Sequence, residues 1–145
     1  EVQARLNGLA AEARQGLPPN KGNVAVAEIN IPELADQPFI TKAFSGYQTD
    51  KDGFVGKPSG NVDTWALQPQ KSSPEFIGGP GAYFRDVDTE FKILENLAQK
   101  LGPNTNATGT VNLISEKVVC PSCTTVIMQF RERYPNIQLN IFTRD

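Results

Sequence analysis

The chain has 145 residues, 14 Lys plus Arg against 16 Asp plus Glu, and no histidine. That length is one ordinary domain, and the 39% of hydrophobic residues is enough for a core. The missing histidine excludes Ser-His-Asp triads, Cys-His pairs and His-based zinc fingers, and the net charge of −2 excludes a protein that grips duplex DNA mainly through a broad basic surface.

Residues 1–15 read as a helix. Val2, Leu6, Leu9 and Ala13 fall near one stripe, and Gly16 with Pro18-Pro19 stops it. Residues 24–31 read as a strand carrying Val24, Val26, Ile29 and Ile31, ended by Pro32. Residues 39–47 read as a second strand closed by Gly46. The short Pro-bounded turn between them predicts an antiparallel hairpin. Residues 48–86 hold Pro58, Pro69, Pro74 and Pro80 among glycines and show no period, so they read as a long loop. Loops of that length inside a compact domain tend to be functional. Phe54, Trp65, Phe76, Tyr83 and Phe84 lie on it. The simpler reading pins these rings to the core, and the sharper one lines a substrate cleft with one or two of them.

Residues 88–101 form the clearest helix. Phe91, Leu94, Ala98 and Leu101 make its stripe, Asp88 suits the N-cap, and Gly102-Pro103 ends it. Residues 109–116 read as a strand with Val111, Leu113 and Ser115 on one face. Residues 121–133 read as a helix with Pro121 at its first position and Val126, Ile127 and Phe130 inward. Residues 137–143 alternate Ile137, Leu139 and Ile141 as a last strand. Strand, helix and strand in succession predict a parallel pair. The expected fold is a three-layer α/β/α sandwich on a mixed four- or five-stranded sheet, one domain over 1–145. No apolar run approaches the roughly 20 residues of a membrane helix. No basic stretch leads into an apolar run, the mark of a secretory signal.

Chemistry concentrates at two helix starts. Cys120 and Cys123 stand in Cys-Pro-Ser-Cys, too close together to staple distant parts of a fold, so the pair is redox-active or metal-binding. A closed structural zinc site would need two further Cys or His ligands, which the sequence lacks; two thiolates, one carboxylate and an open position make the catalytic pattern. Asp88-Thr89-Glu90 opens one helix and the cysteine pair opens the next, one strand later, so both N-termini can meet at one sheet edge. The positive end of a helix favours thiolates. Asp88, Cys120 and Cys123 could then hold one zinc, with Glu90 left beside a water. Singly, each feature has a plainer reading. Asp88 suits an N-cap, Glu90 suits a first turn, and one CxxC suits a thioredoxin-like redox pair. Lys117, Arg131 and Arg133 could touch phosphate, although a solvated helix face is the simpler reading with Glu132 and Asp145 nearby.

Asp88-Thr89-Glu90 followed by Cys120-Pro121-Ser122-Cys123 across the 29 residues 91–119 resembles the zinc-dependent nucleobase deaminase superfamily. The stretch VNLISEKVVCPSC is similar to the superfamily strand that ends in Glu shortly before the cysteines. More narrowly, residues 86–145 resemble deaminase domains at the C-termini of bacterial polymorphic toxins, and VAVAEINI and KAFSGY look like their first hairpin. Asp88 stands where the superfamily more often has His, as expected in the toxin branch, and Val119 rather than Pro precedes Cys120. The resemblance implies a cytidine deaminase-like fold and a hydrolytic deaminase. Asp88, Cys120 and Cys123 would hold zinc, and Glu90 would carry the proton. The backbone at Thr89 and the strand end Ser115–Glu116 would contact the base. It further implies conversion of cytosine to uracil in nucleic acid, or deamination of free nucleosides or nucleotides or of adenine. A longer parent protein would deliver the domain into a target-cell cytoplasm, and an immunity protein, not a membrane, would be its partner. Two readings from other classes are a thiol-disulfide oxidoreductase attacking through Cys120 and a non-catalytic zinc-stabilised binding module.

Overall fold

The computed structural model describes residues 2–17, 22–47, 50–56, 65–67, 71–72, 83–84, 89–116 and 121–143, with 71–72, 83–84 and 121–125 described through their backbone. Its elements are α1 (Val2–Arg14), β1 (Val24–Asn30), β2 (Phe39–Phe44), β3 (Lys71–Ser72), β4 (Tyr83–Phe84), α2 (Thr89–Leu101), β5 (Gly109–Ser115), α3 (Pro121–Arg133) and β6 (Ile137–Thr143). The main sheet runs β2-β1-β5-β6. β1 pairs antiparallel with β2 (Val24 opposite Phe44) and with β5 (Ala25 opposite Ser115), while β5 and β6 are parallel (Gly109 opposite Ile137). The hairpin and the parallel pair are both as the sequence predicts. β2 is shorter than expected because the Tyr47 amide donates to Phe44 O at 3.0 Å and closes a turn there. β3 and β4 lie within the stretch read as loop and form a separate antiparallel pair, so they add no fifth strand to the main sheet.

Two apolar clusters lie on the two faces of the sheet and make three layers. On one face Leu6, Ala10 and Ala13 of α1 pack with Val24, Val26, Phe44, Phe54 and Ile114. Leu9, expected in the stripe, is only partly buried, and Ala10 takes the inner place. Arg5 Nε and Nη2 grip the Glu28 carboxylate at 2.8 and 2.7 Å, and these hydrogen bonds hold that carboxyl below its ordinary pKa. On the other face Ala25, Ala27 and Ile29 meet α2 and α3. β1 is covered on both sides, which is why four consecutive residues, Val24 to Ala27, are all buried rather than alternating.

α2 departs from a simple amphipathic helix. Besides its apolar stripe it buries Thr89, Glu90, Lys92 and Glu95. Its outer face is covered by two returning segments. Lys92 Nζ donates to Phe44 O at 3.0 Å and Tyr47 O at 2.7 Å, and Glu95 accepts from the Ala66 and Leu67 amides at 3.0 and 2.8 Å. Trp65 stacks at a tilt on Phe91, 5.4 Å between centroids, and Phe54 sits edge-on to Phe44 and Tyr47. For Trp65 and Phe54 the core-pinning reading therefore holds; Phe76 and the side chains of Tyr83 and Phe84 lie outside the described residues.

α2 and α3 run in the same direction and are tied at their C-terminal ends. The Tyr134 hydroxyl donates to Gly102 O at 2.8 Å, with Ala98 O at 3.3 Å, and accepts from Arg133 Nε at 3.0 Å. Arg131 Nη2 donates to Leu139 O at 2.8 Å. Arg131 and Arg133 are both exposed, as expected of a solvated helix face, and each also reaches a backbone or ring oxygen from there. Lys117 lies outside the described residues. Tyr134→Phe removes the hydroxyl from a buried site and should lower unfolding stability by about 1 kcal/mol, read from the urea midpoint.

Candidate functional site

The common direction of α2 and α3 has a consequence at their other ends. Both helices have 13 residues, so each spans about 20 Å, and with their C-termini joined their N-termini lie toward the same edge of the sheet. β5 ends there too. Ser115 closes it, and residues 116–120 lead into α3 at Pro121. This edge brings Thr89, Glu90 and Ser115 together.

Glu90 is 3% exposed, Thr89 1% and Ser115 0%. Thr89 Oγ1 donates to Glu90 Oε1 at 3.0 Å. The side-chain amide of Asn23, just ahead of β1, donates to Thr89 Oγ1 at 2.9 Å and to Ser115 Oγ at 2.8 Å. Glu116 sits one residue further on. Its amide donates to Val24 O at 3.0 Å, and its carboxylate takes Arg14 in a two-pronged pair, Nε to Oε2 at 3.1 Å and Nη2 to Oε1. Glu116 Oε1 also accepts from the Val24 amide at 3.2 Å. The strand end expected to meet the base is therefore firmly built, with Glu116 engaged by α1.

Asp88 and Cys120 lie outside the described residues, and Cys123 is described only through the backbone of the first turn of α3. Among the described residues no group of three ligating side chains forms. Cys123 lies in the N-terminal turn of α3, a position whose field favours a thiolate. Two thiolates and one carboxylate would suit zinc, since three protein ligands would leave the fourth position of a tetrahedral ion open.

Asn23 was not visible as a site residue from the sequence. It reads as an ordinary turn residue beside Gly22, and its partners lie 66 and 92 positions away. Lys92, Glu95 and Arg14 likewise carry no local signal of the contacts they make.

A mixed sheet layered between helices, with a buried glutamate opening the helix beside the end of a central strand, defines an α/β fold of the cytidine deaminase-like class. Within that class the chain belongs to the toxin-deaminase family: the family model described as "The BURPS668_1122 family of deaminases" matches residues 9–145. No curated protein and no solved structure matches it. Membership makes the chain a deaminase of the toxin type and an enzyme, and it selects that reading over the oxidoreductase and the non-catalytic module. No helix among the described residues is long and apolar enough to cross a membrane.

Proposed function

We propose that this deaminase is zinc-dependent, converts cytosine to uracil in nucleic acid, and acts as an antibacterial toxin in the cytoplasm of a target cell. The observation that supports it most is the Glu90 carboxylate, buried at the start of α2 and gripped by Thr89, beside the strand end that leads to the cysteine pair. Asp88, Cys120 and Cys123 would hold the metal. When bound, zinc supplies an acidified water as nucleophile near neutral pH.

The chain's own residues do the rest. Glu90 takes the proton lost as the water oxygen bonds to C4 of cytosine and delivers it to ring N3. It then takes the proton of the new C4 hydroxyl and passes it to the exocyclic nitrogen as the C4–N bond breaks, so that water and cytosine become uracil and ammonia. Burial keeps this carboxylate away from bulk water, which would otherwise compete for the proton. With Thr89 and Ser115 so little exposed, contact with the base falls to the Thr89 backbone and to the strand end at Glu116. The net charge of −2 favours a single strand or a flipped-out base over intact duplex. An immunity protein covering this edge would protect the producing cell.

The test is incubation of the purified protein with single-stranded DNA, RNA, duplex DNA, cytidine and adenosine nucleotides, reading ammonia release and base identity. The reading predicts uracil in the single strand, loss of activity on chelation, and recovery with one equivalent of zinc. Inosine, or uracil only among free nucleotides, would move the substrate. Undiminished activity in the zinc-free protein would overturn the metal assignment.

A further inference from the structure

We infer that Asn23 is a positioning residue for Glu90, acting through the hydroxyl of Thr89. The inference rests on the reading that Glu90 moves the proton.

The backbone at Asn23 is held from both sides by one residue. The Asn23 amide donates to Ser45 Oγ at 2.8 Å, and the Ser45 amide donates back to Asn23 O at 2.9 Å. Gly22 precedes it at φ +67°, and a Cβ there would stand 2.6 Å from Ser45 Oγ and 2.8 Å from Phe44 Cε1. Only a glycine lets the chain enter this clasp so closely, and the clasp aims the Asn23 side chain across the end of β1.

The donor order then follows from valence. The Asn23 amide nitrogen carries two protons and spends one on Thr89 Oγ1 and one on Ser115 Oγ. Thr89 Oγ1 has a single proton. Because it accepts from Asn23, its lone pair is engaged and its proton is left for Glu90 Oε1. The donor order therefore runs from Asn23 to Thr89 to Glu90. The flipped amide would put its oxygen against both hydroxyls. Thr89 would then spend its proton on Asn23 and turn a lone pair toward Glu90 at 3.0 Å, so the relay itself selects the amide orientation.

A glutamate side chain has three torsions, and a proton carrier must hold its oxygen within a fraction of an ångström of the accepting atom. One hydroxyl, itself locked, fixes one oxygen and hence the plane of the carboxyl group. Ser115, at the end of β5, ties the same amide to the sheet, so the relay references Glu90 to the strand that leads to the cysteines.

The experiment compares Asn23→Ala, Thr89→Val, Thr89→Ser, the Asn23→Ala/Thr89→Val double variant and Glu90→Gln in the full chain. It uses a cytosine-containing single-stranded oligodeoxynucleotide and reads kcat, KM, zinc content and melting temperature. Asn23→Ala and Thr89→Val should each lower kcat by about 10²-fold with KM nearly unchanged, as misplacement of a reacting group by about 1 Å does. Thr89→Ser, which keeps the hydroxyl, should recover most of the loss. The double variant should be no slower than either single one. A crystal structure of Asn23→Ala should show Thr89 turned away from Glu90 Oε1, a readout independent of turnover. Additive losses in the double variant, or a crystal structure with the Thr89–Glu90 bond intact, would overturn the relay. If Asn23→Ala does not fold, the contrast between Thr89→Val and Thr89→Ser carries the test. An active Glu90→Gln would instead sink the proton-carrier reading. An inactive Glu90→Gln with a fully active Asn23→Ala would sink the positioning role alone.

Discussion

Glu90→Gln should lower kcat for deamination by about 10²- to 10⁴-fold, the range that a positioned acid–base group contributes. Glutamine keeps the volume of the side chain, and its carbonyl oxygen can still accept from Thr89 Oγ1, so the 3.0 Å contact and the packing around a residue 3% exposed are preserved. What it loses is the ability to take and return a proton. Stability should therefore change by no more than about 1 kcal/mol, and zinc content should stay at the wild-type level. Ammonia release, thermal melting and metal analysis on the same preparation separate the two effects. A variant that still turns over at the wild-type rate would remove Glu90 from the mechanism. A variant that loses both activity and metal would make it a structural support for the metal site.

The second large effect lies on the same helix, two residues further along. Lys92 is 0% exposed, and its Nζ ties Phe44 O and Tyr47 O to α2. Lys92→Ala would empty the volume of a long side chain and take the donor from two carbonyls at once. Phe44 O retains the Tyr47 amide, so the larger loss falls on Tyr47 O. A cavity of this kind costs about 2–5 kcal/mol and the lost bond to the partly buried Tyr47 carbonyl about 1 kcal/mol more, so a total near ~4 kcal/mol is expected. Against a domain stability of about 5–15 kcal/mol this shift is large. Urea unfolding of Lys92→Ala and Lys92→Met would divide it, since methionine fills most of the space without supplying the donor. Because the same turn carries Ser45, which clasps Asn23, both variants should also lose activity. A Lys92→Met variant as stable as the wild type would show that packing alone holds the turn.

These two residues mark the boundary of what local reading could reach. Glu90 is legible as a candidate because the pattern that singles it out lies in a short stretch. An acidic helix start, a strand and a CxxC at the next helix start are local patterns with a known spacing. The element boundaries were legible for the same kind of reason: Gly102-Pro103 after α2, Pro121 opening α3, and alternation through Ile137, Leu139 and Ile141 depend on neighbours along the chain. Lys92 and Glu95 were not legible. On a helical projection they fall on the polar side, and only the return of residues 44–47 and 65–67 over that side turns them from solvated charges into buried anchors.

The chain alone therefore determined the order of helices and strands, the antiparallel hairpin and the parallel last pair, because each depends on spacing between near neighbours. The folded molecule decided which polar groups are buried, that β3 and β4 stand apart from the main sheet, and that Asn23 bonds both Thr89 and Ser115 beside Glu90. Those outcomes depend on segments 66 and 92 positions apart meeting at a single sheet edge, and a hydrogen bond between distant residues leaves no periodic trace along the chain.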